Sequence, residues 1–421
     1  MARLTPLIAA ALVTSLAAGC RGPAPNAGGG PYADVVAQDI PKIEKAVGVP
    51  FKRPPKLEIR TKDQVRAFVL AQVADSATQR DLAGKEMSYK LFGLIPDTLN
   101  VRRLFVDLLT EQIVGYYDPK TKVLYVVQGA PEVNVDITIM HELVHALQDQ
   151  YIDLDSLQKQ SGDDDRIAAT QAVIEGEATY EQMSAMVGGS GNIAARMPGG
   201  WDRMRDLIRD AQSSQPIFAA APMAIQEEML FPYINGAEFV RRFKEHEPNK
   251  LPFADLPQST EQVMHDQAFF GKPRDTPIRV ALPWIQGEEY QNTLGEFDTR
   301  LVLFEQLQDQ QVAARASIGW GGDRYAVVRT PRGNALVWAS VWDTPIDAAE
   351  FVDAFGQAVQ ARYRVGAPVI GASGSRTYAG RERTVVVTTR EIAGKQAVLI
   401  TDVPNGVSPQ LVDIARVSVG G

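Results

Sequence analysis

The chain has 421 residues, 45% of them hydrophobic and 22% charged, which is ordinary for a globular protein and long enough for two cores. A formal charge of −8 and a pI near 5.3 speak against nucleic acid or an anionic lipid surface as partner.

In chain order, Arg3 precedes an apolar run from Leu7 to Ala18 and then Gly19-Cys20. A basic tip, a short apolar core and small residues before a cut site predict a cleaved secretory signal over residues 1–19, too short to span a membrane. Leu16-Ala-Ala-Gly-Cys20 also resembles the lipobox of bacterial lipoproteins, which are cut before the cysteine and acylated on it. Cys20 is the only cysteine, so no internal disulfide forms, and the expected anchor is a lipid on that residue. Residues 20–33, rich in Pro, Gly and Ala, read as a flexible tether. The implied location is the bacterial cell envelope, exported and membrane-anchored.

Residues 34–114 read as mostly helical, with apolar residues at helical spacing in Asp63–Leu82 and Leu99–Ile113. The period then changes: residues 112–127 are two β-rich runs around Asp118-Pro-Lys-Thr121, a hairpin. Helices are predicted over Asn134–Leu154, Arg166–Val187, Trp201–Ala211 and Glu227–Glu245, followed by a Pro-rich stretch over 249–290. Beyond it, strands at Tyr325–Arg329 and Ala335–Trp342 flank a turn at Pro331–Asn334. A helix over Ile346–Tyr363, strands near 383–391 and 396–402, and a last helix capped by Ser408 and Pro409 complete the pattern. The fold class is α+β: a mostly helical domain with a β-hairpin over 34–290, then a smaller α+β domain over 291–421.

His141-Glu-Leu-Val-His145 carries the chemistry. Residues four apart share a helix face, so both imidazoles can reach one metal ion, and Glu142 lies where its carboxylate can reach water on that ion. Two of the chain's four histidines fall in this one turn. Asp136 is a candidate cap, and Ile137, Met140, Val144 and Leu147 form an apolar stripe beside the histidines. A catalytic zinc needs a third protein ligand and an open position. Residues 148–154 contain no histidine, which excludes a metzincin-like site. Glu175, in Val173-Ile-Glu-Gly-Glu-Ala-Thr179, is the better third ligand, with Gly176 and Ala178 small enough for close approach to the first helix. Glu177 is the rival, about 200° away around the helix, so the two cannot both face the metal. Asp149 either orients a ligand histidine or is solvated. Trp320, Trp338 and Trp342 either line a substrate surface or belong to the core.

His141–Asp149 resembles the zinc helix of the gluzincins, the thermolysin-like and aminopeptidase-N-like zinc peptidases, and Glu175-Gly-x-Ala178 is similar to the glutamate-bearing second helix of that clan. The resemblance implies Zn2+ held by His141, His145 and Glu175, Glu142 as general base, and the Gly115-Tyr-Tyr117 hairpin as a substrate-gripping edge strand. For the oxyanion donor it leaves two choices. Tyr233, in Phe231-Pro-Tyr-Ile-Asn-Gly-Ala-Glu-Phe239, is similar to the transition-state tyrosine segment of aminopeptidase-N-like enzymes. His265, in Ser259-Thr-Glu-Gln-Val-Met-His265, matches the downstream histidine of thermolysin-like ones. The Gly115-Tyr-Tyr-Asp-Pro119 hairpin, His141–Gln150, Glu175-Gly-x-Ala178, Ser259–His265 and Gly319–Tyr325 are also similar to those of bacterial metallopeptidase-like lipoproteins, over most of the mature chain. Hydrolysis of peptide bonds in a peptide or protein substrate is the function implied, with endopeptidase as the default because the aminopeptidase Gly-Ala-Met-Glu-Asn strand is missing. The competing reading is a surface lipoprotein that binds zinc or a partner without catalysis, which has no use for a carboxylate at position 142.

Overall fold

A computed structural model of the chain describes residues 32–158, 160–186, 215–372 and 374–420, together with Asp210. Cys20, the signal, nearly all of the tether and the helix expected over Trp201–Ala211, Asp210 apart, lie outside the described residues. Among the described residues no helix is long and apolar enough to cross a membrane.

Local chemistry sets the first elements. After α1 (Ala33–Val47) and strand β1 (Lys56–Arg60), Thr61 and Gln64 form a reciprocal capping box that starts α2 (Lys62–Ala74). The helix expected over Asp63–Leu82 is in fact two. Asp75 adopts an extended backbone, and its carboxylate accepts the N–H groups of Ala77 and Thr78, which starts α3 (Ser76–Phe92). Next come α4 (Val101–Gln112) and the predicted hairpin, β2 (Gly115–Asp118) and β3 (Val123–Val127). β1 pairs parallel with β3, giving a small sheet of order β1-β3-β2 with β2 at an edge.

Helix α5 (Glu132–Gln148) starts after Pro131, so Asp136 lies inside it and does not cap it. α6 (Leu154–Gln158), α7 (Asp164–Met186), α8 (Pro216–Ala220) and α9 (Met223–His246) follow, then two short helices, α10 (Thr260–Met264) and α11 (Asp266–Phe270). α7 and α9 cross at two glycines. A Cβ on Gly176 would lie 2.1 Å from the Gly236 carbonyl carbon, and one on Gly236 would lie 2.0 Å from the Ala172 carbonyl oxygen. Gly176 therefore admits α9 and not α5, the helix its small size was expected to let close.

Seven of the remaining strands build an antiparallel sheet of order β5-β6-β7-β11-β10-β9-β8. Its strands are β5 (Glu288–Asn292), β6 (Trp320–Thr330), β7 (Gly333–Trp342), β8 (Val369–Ile370), β9 (Arg376–Ala379), β10 (Arg383–Ile392) and β11 (Lys395–Pro404). The helices α12 (Gly295–Leu307), α13 (Gln310–Ser317) and α14 (Pro345–Tyr363) belong to this half. Alternation along β7 shows how both faces are covered. Leu336, Trp338 and Trp342 join the core shared with the helices, while Ala335, Val337, Ala339 and Val341 face a second, smaller core.

Val412, Ile414 and Val417 close that smaller core. The last helix predicted from Ser408 and Pro409 does not form. The segment runs as irregular cover with one 3-10 turn (Ile414–Arg416) and ends in β12 (Ser418–Val419), paired with β4 (Val280–Ala281). The larger core is continuous from Val36 in α1 to Ile400 in β11. Hydrogen bonds cross between the helices and the sheet half as well: Tyr89 donates to Asp298 at 3.1 Å, and Arg362 donates to the Leu91 and Lys90 carbonyls.

Candidate metal centre

Helix α5 brings His141, Glu142 and His145 into one buried turn, the two imidazole rings 4.8 Å apart at their centroids. From α7, the Glu175 Oε2 lies 3.2 Å from His141 Nε2 and 3.4 Å from His145 Nε2. One ligand-type atom from each of the three residues lies within 4.8 Å of the others. The contact to His145 is electrostatic only; its Nε2 is buried without a hydrogen-bond partner.

The other ring nitrogens are tied back. His141 Nδ1 is 3.1 Å from Gln182 Oε1, and His145 Nδ1 is 2.9 Å from Gln148 Oε1. An amide oxygen accepts only, so each Nδ1 is held as a donor and each Nε2 is the nitrogen turned toward Glu175. The orientation of the Gln148 amide follows from its nitrogen, which donates to the Ile174 carbonyl at 3.2 Å and to Glu177 at 2.9 Å. Glu177 is thus the far end of a chain that sets His145, and the structure brings Glu175, not Glu177, to the imidazoles. Neither glutamine was singled out in the sequence. The signals for them were the spacings: Gln182 lies two turns beyond Glu175 on the same face, and Gln148 three residues after His145.

Burial and mutual attraction compete at these groups. Burial alone would raise Glu175, but the two imidazoles outweigh it and hold the carboxyl down to about 2. Burial depresses His141 against the pull of Glu175. For His145 burial acts the same way, yet the Glu175 and Glu142 carboxylates outweigh it and raise the imidazole. Glu142 is pushed up to about 8 by burial, His145 and the Tyr117 N–H pulling the other way.

The hairpin fixes Glu142. Its Oε2 accepts the main-chain N–H of Tyr117 at 2.7 Å, while Oε1 is buried with no hydrogen-bond partner. A Cβ at Gly115 would lie 2.8 Å from both Thr138 Cγ2 and the Tyr125 carbonyl oxygen, so only glycine lets β2 approach α5 this closely. Asp149 does neither thing expected of it. It is buried, and it accepts from the Tyr117 hydroxyl and from Lys122, both at 2.7 Å, clipping the end of α5 to the hairpin.

Tyr233, on α9 one turn before the Gly236 crossing, places its ring centroid 6.2 Å from that of His141. His265 stands elsewhere: half-exposed between α10 and α11, its Nε2 lies 2.9 Å from Glu296 on α12. Trp320, Trp338 and Trp342 are core residues, the first two donating their indole N–H groups to Asp323 and the third to Ser340.

Residues 281–407 match a sequence family described as a domain of unknown function, DUF8575. That span holds the seven-stranded sheet and leaves α5, α7 and α9 outside it. No curated protein and no solved structure matches the chain.

Proposed function

We propose that the chain is a zinc-dependent peptidase that hydrolyses internal peptide bonds, with His141, His145 and Glu175 as metal ligands. The observation that carries this reading is a buried pair of imidazole nitrogens converging on one carboxylate, with a further carboxylate, Glu142, beside them. The donor set fits the ion. Zinc–ligand bonds of about 2.0–2.2 Å in a tetrahedron put neighbouring donor atoms about 3.3–3.6 Å apart. The Glu175 oxygen stands at 3.2 and 3.4 Å from the two nitrogens. The buried, unpartnered His145 Nε2 is the lone pair such an ion would take.

Zinc held there supplies Lewis acidity toward a carbonyl and toward water. The chain's own groups do the rest. Gln182 and Gln148 hold both histidines in the tautomer that offers Nε2. The Tyr117 N–H fixes Glu142 through Oε2, which leaves Oε1 to take a proton from the attacking water and pass it to the leaving amine. Tyr233, beside His141, is the donor best placed for the oxyanion.

The test is cleavage of an unbiased peptide library by the zinc-loaded full chain, with metal content measured in parallel. Glu142→Gln should bind zinc and lose about 10²–10⁴ in turnover, whereas Glu175→Ala should lose the zinc. Zinc bound stoichiometrically with no cleavage by wild type would leave a metal-binding protein, and full zinc in Glu175→Ala would remove the ligand assignment.

A further inference from the structure

Far along the chain from the histidine pair, three carboxylates from separate elements meet where the helices join the seven-stranded sheet. Glu261 belongs to α10, Asp275 to the connection between α11 and β4, and Asp343 follows the last residue of β7. One oxygen from each lies within 4.8 Å of the others. Their backbones are pinned in place. The Gln262 side chain donates to the Asp275 carbonyl, the Asp275 N–H to the Ala268 carbonyl at 2.9 Å, and the Asp343 N–H to the Gly319 carbonyl at 2.9 Å.

Acidic groups often gather on a surface without a ligand, but Glu261 is not on the surface. It is 4% exposed, and its Oε2 is buried with no hydrogen-bond partner. After burial itself, the groups that push its carboxyl up, to about 10, are all anionic: Glu296, Asp275, Asp343 and Asp165. The two nearby cations go to other carboxylates than Glu261. His265 is bound to Glu296 at 2.9 Å, and Lys395 makes a long ion pair with the outer face of the cluster, at 3.9 Å from Asp343. A buried carboxylate facing only like charge costs several kcal/mol unless a proton or a cation compensates it.

We infer that Glu261, Asp275 and Asp343 form a binding site for a hard divalent cation, calcium, which ties α10 and the connection after α11 to the end of β7. All three donors are carboxylate oxygens, an all-oxygen set that suits calcium, whereas the site on α5 offers two imidazole nitrogens. Calcium–oxygen bonds of about 2.3–2.6 Å allow two oxygens up to about 5 Å apart to share one ion, so the three groups need no closing up. This site is independent of the chemistry proposed at His141.

Thermal unfolding of the full chain in EGTA and in added calcium, with a calorimetric calcium titration, tests it. At calcium ten times its dissociation constant the folding equilibrium of wild type should shift roughly 11-fold, a rise of about 1–2 °C in Tm. Glu261→Gln should show no such rise. In EGTA it should unfold above wild type, because the variant no longer buries an acidic group among carboxylates. Asp343→Asn, at the exposed rim of the cluster, keeps the fold if Glu261→Gln does not, and should also lose the calcium response. A wild type that neither binds calcium nor gains stability from it, or a response that survives unchanged in both variants, overturns the inference.

Discussion

In the sheet half, Asp323 is buried and accepts four N–H groups: the indoles of Trp320 and Trp338 at 3.1 Å, and the main chain of Leu294 and Gly295 at 3.0 and 2.9 Å. In the helical half, Glu142 is equally buried and accepts one, from Tyr117, with its second oxygen unpartnered. Full satisfaction turns a buried carboxylate into a structural joint, here between the strand ladder and the start of α12. Leaving a buried lone pair without a partner costs about 1–3 kcal/mol, so where such atoms sit beside other metal-binding or acidic groups a ligand or a reaction is the compensation to test. Glu142 Oε1, His145 Nε2 and Glu261 Oε2 are all of this second kind.

The sharpest way to break the comparison is Asp323→Ala. Four buried N–H groups would lose their acceptor, and urea unfolding should show a loss of about 3–5 kcal/mol. A loss below about 1 kcal/mol would mean that the four donors find other partners and that Asp323 is no joint.

Next in size is Tyr233→Phe, which on the proposed reading removes an oxyanion donor and keeps the ring. Turnover should fall about 10²–10³-fold, roughly 3–4 kcal/mol, in kcat rather than KM, with zinc content and Tm unchanged. His265→Ala should have the milder effect, because that imidazole is engaged by Glu296. The reverse ranking would transfer the donor's role to His265.

A third measurement uses pH. Burial pushes Asp323 up to about 6, against the four N–H groups that pull it down. An unfolded aspartate titrates near about 3.9, so between the two values the folded protein holds the proton more tightly and stability falls as pH rises. This component amounts to roughly 2–3 kcal/mol across that window. It should disappear from the stability–pH slope of Asp323→Asn; an unchanged slope would assign it to other carboxyls.

What could be read in advance divides along the same physical line. That His141, Glu142, His145 and Glu175 come together was legible, the first three because residues one and four apart share a helix turn and the last because the pattern calls for a further donor on the next helix. The hairpin at 112–127 was legible because its period changes. The partners of Gly176, Asp149 and Gln148 were not. Small or polar residues announce that something approaches, but whether it is α9, Lys122 or Glu177 depends on packing between distant segments. β1 was missed because a five-residue strand with only Leu57 and Ile59 as apolar residues carries too short a pattern. α12 and α13 went unmarked in a stretch read for its strands. The last segment was misread because Ser408 and Pro409 make a good helix start, while Val412, Ile414 and Val417 are needed flat against the sheet.

The smallest expected effect tests whether the hairpin holds Glu142 through its main chain or through a side chain. Tyr117 has two attachments: its N–H goes to Glu142 and its hydroxyl to Asp149, each at 2.7 Å. Burial and the neighbouring Asp149 keep that phenol protonated, as a donor. Tyr117→Phe removes only the hydroxyl. Asp149 keeps Lys122 at 2.7 Å and the Leu154 N–H at 3.2 Å, so the loss in stability should be about 1–2 kcal/mol. Strand pairing with β3 still fixes the backbone, so the N–H should stay on Glu142 and turnover should change by less than about threefold, under 1 kcal/mol of barrier. A hundredfold loss in Tyr117→Phe would show instead that the Asp149 clip, reaching from the end of α5 to the hairpin, is what sets the base.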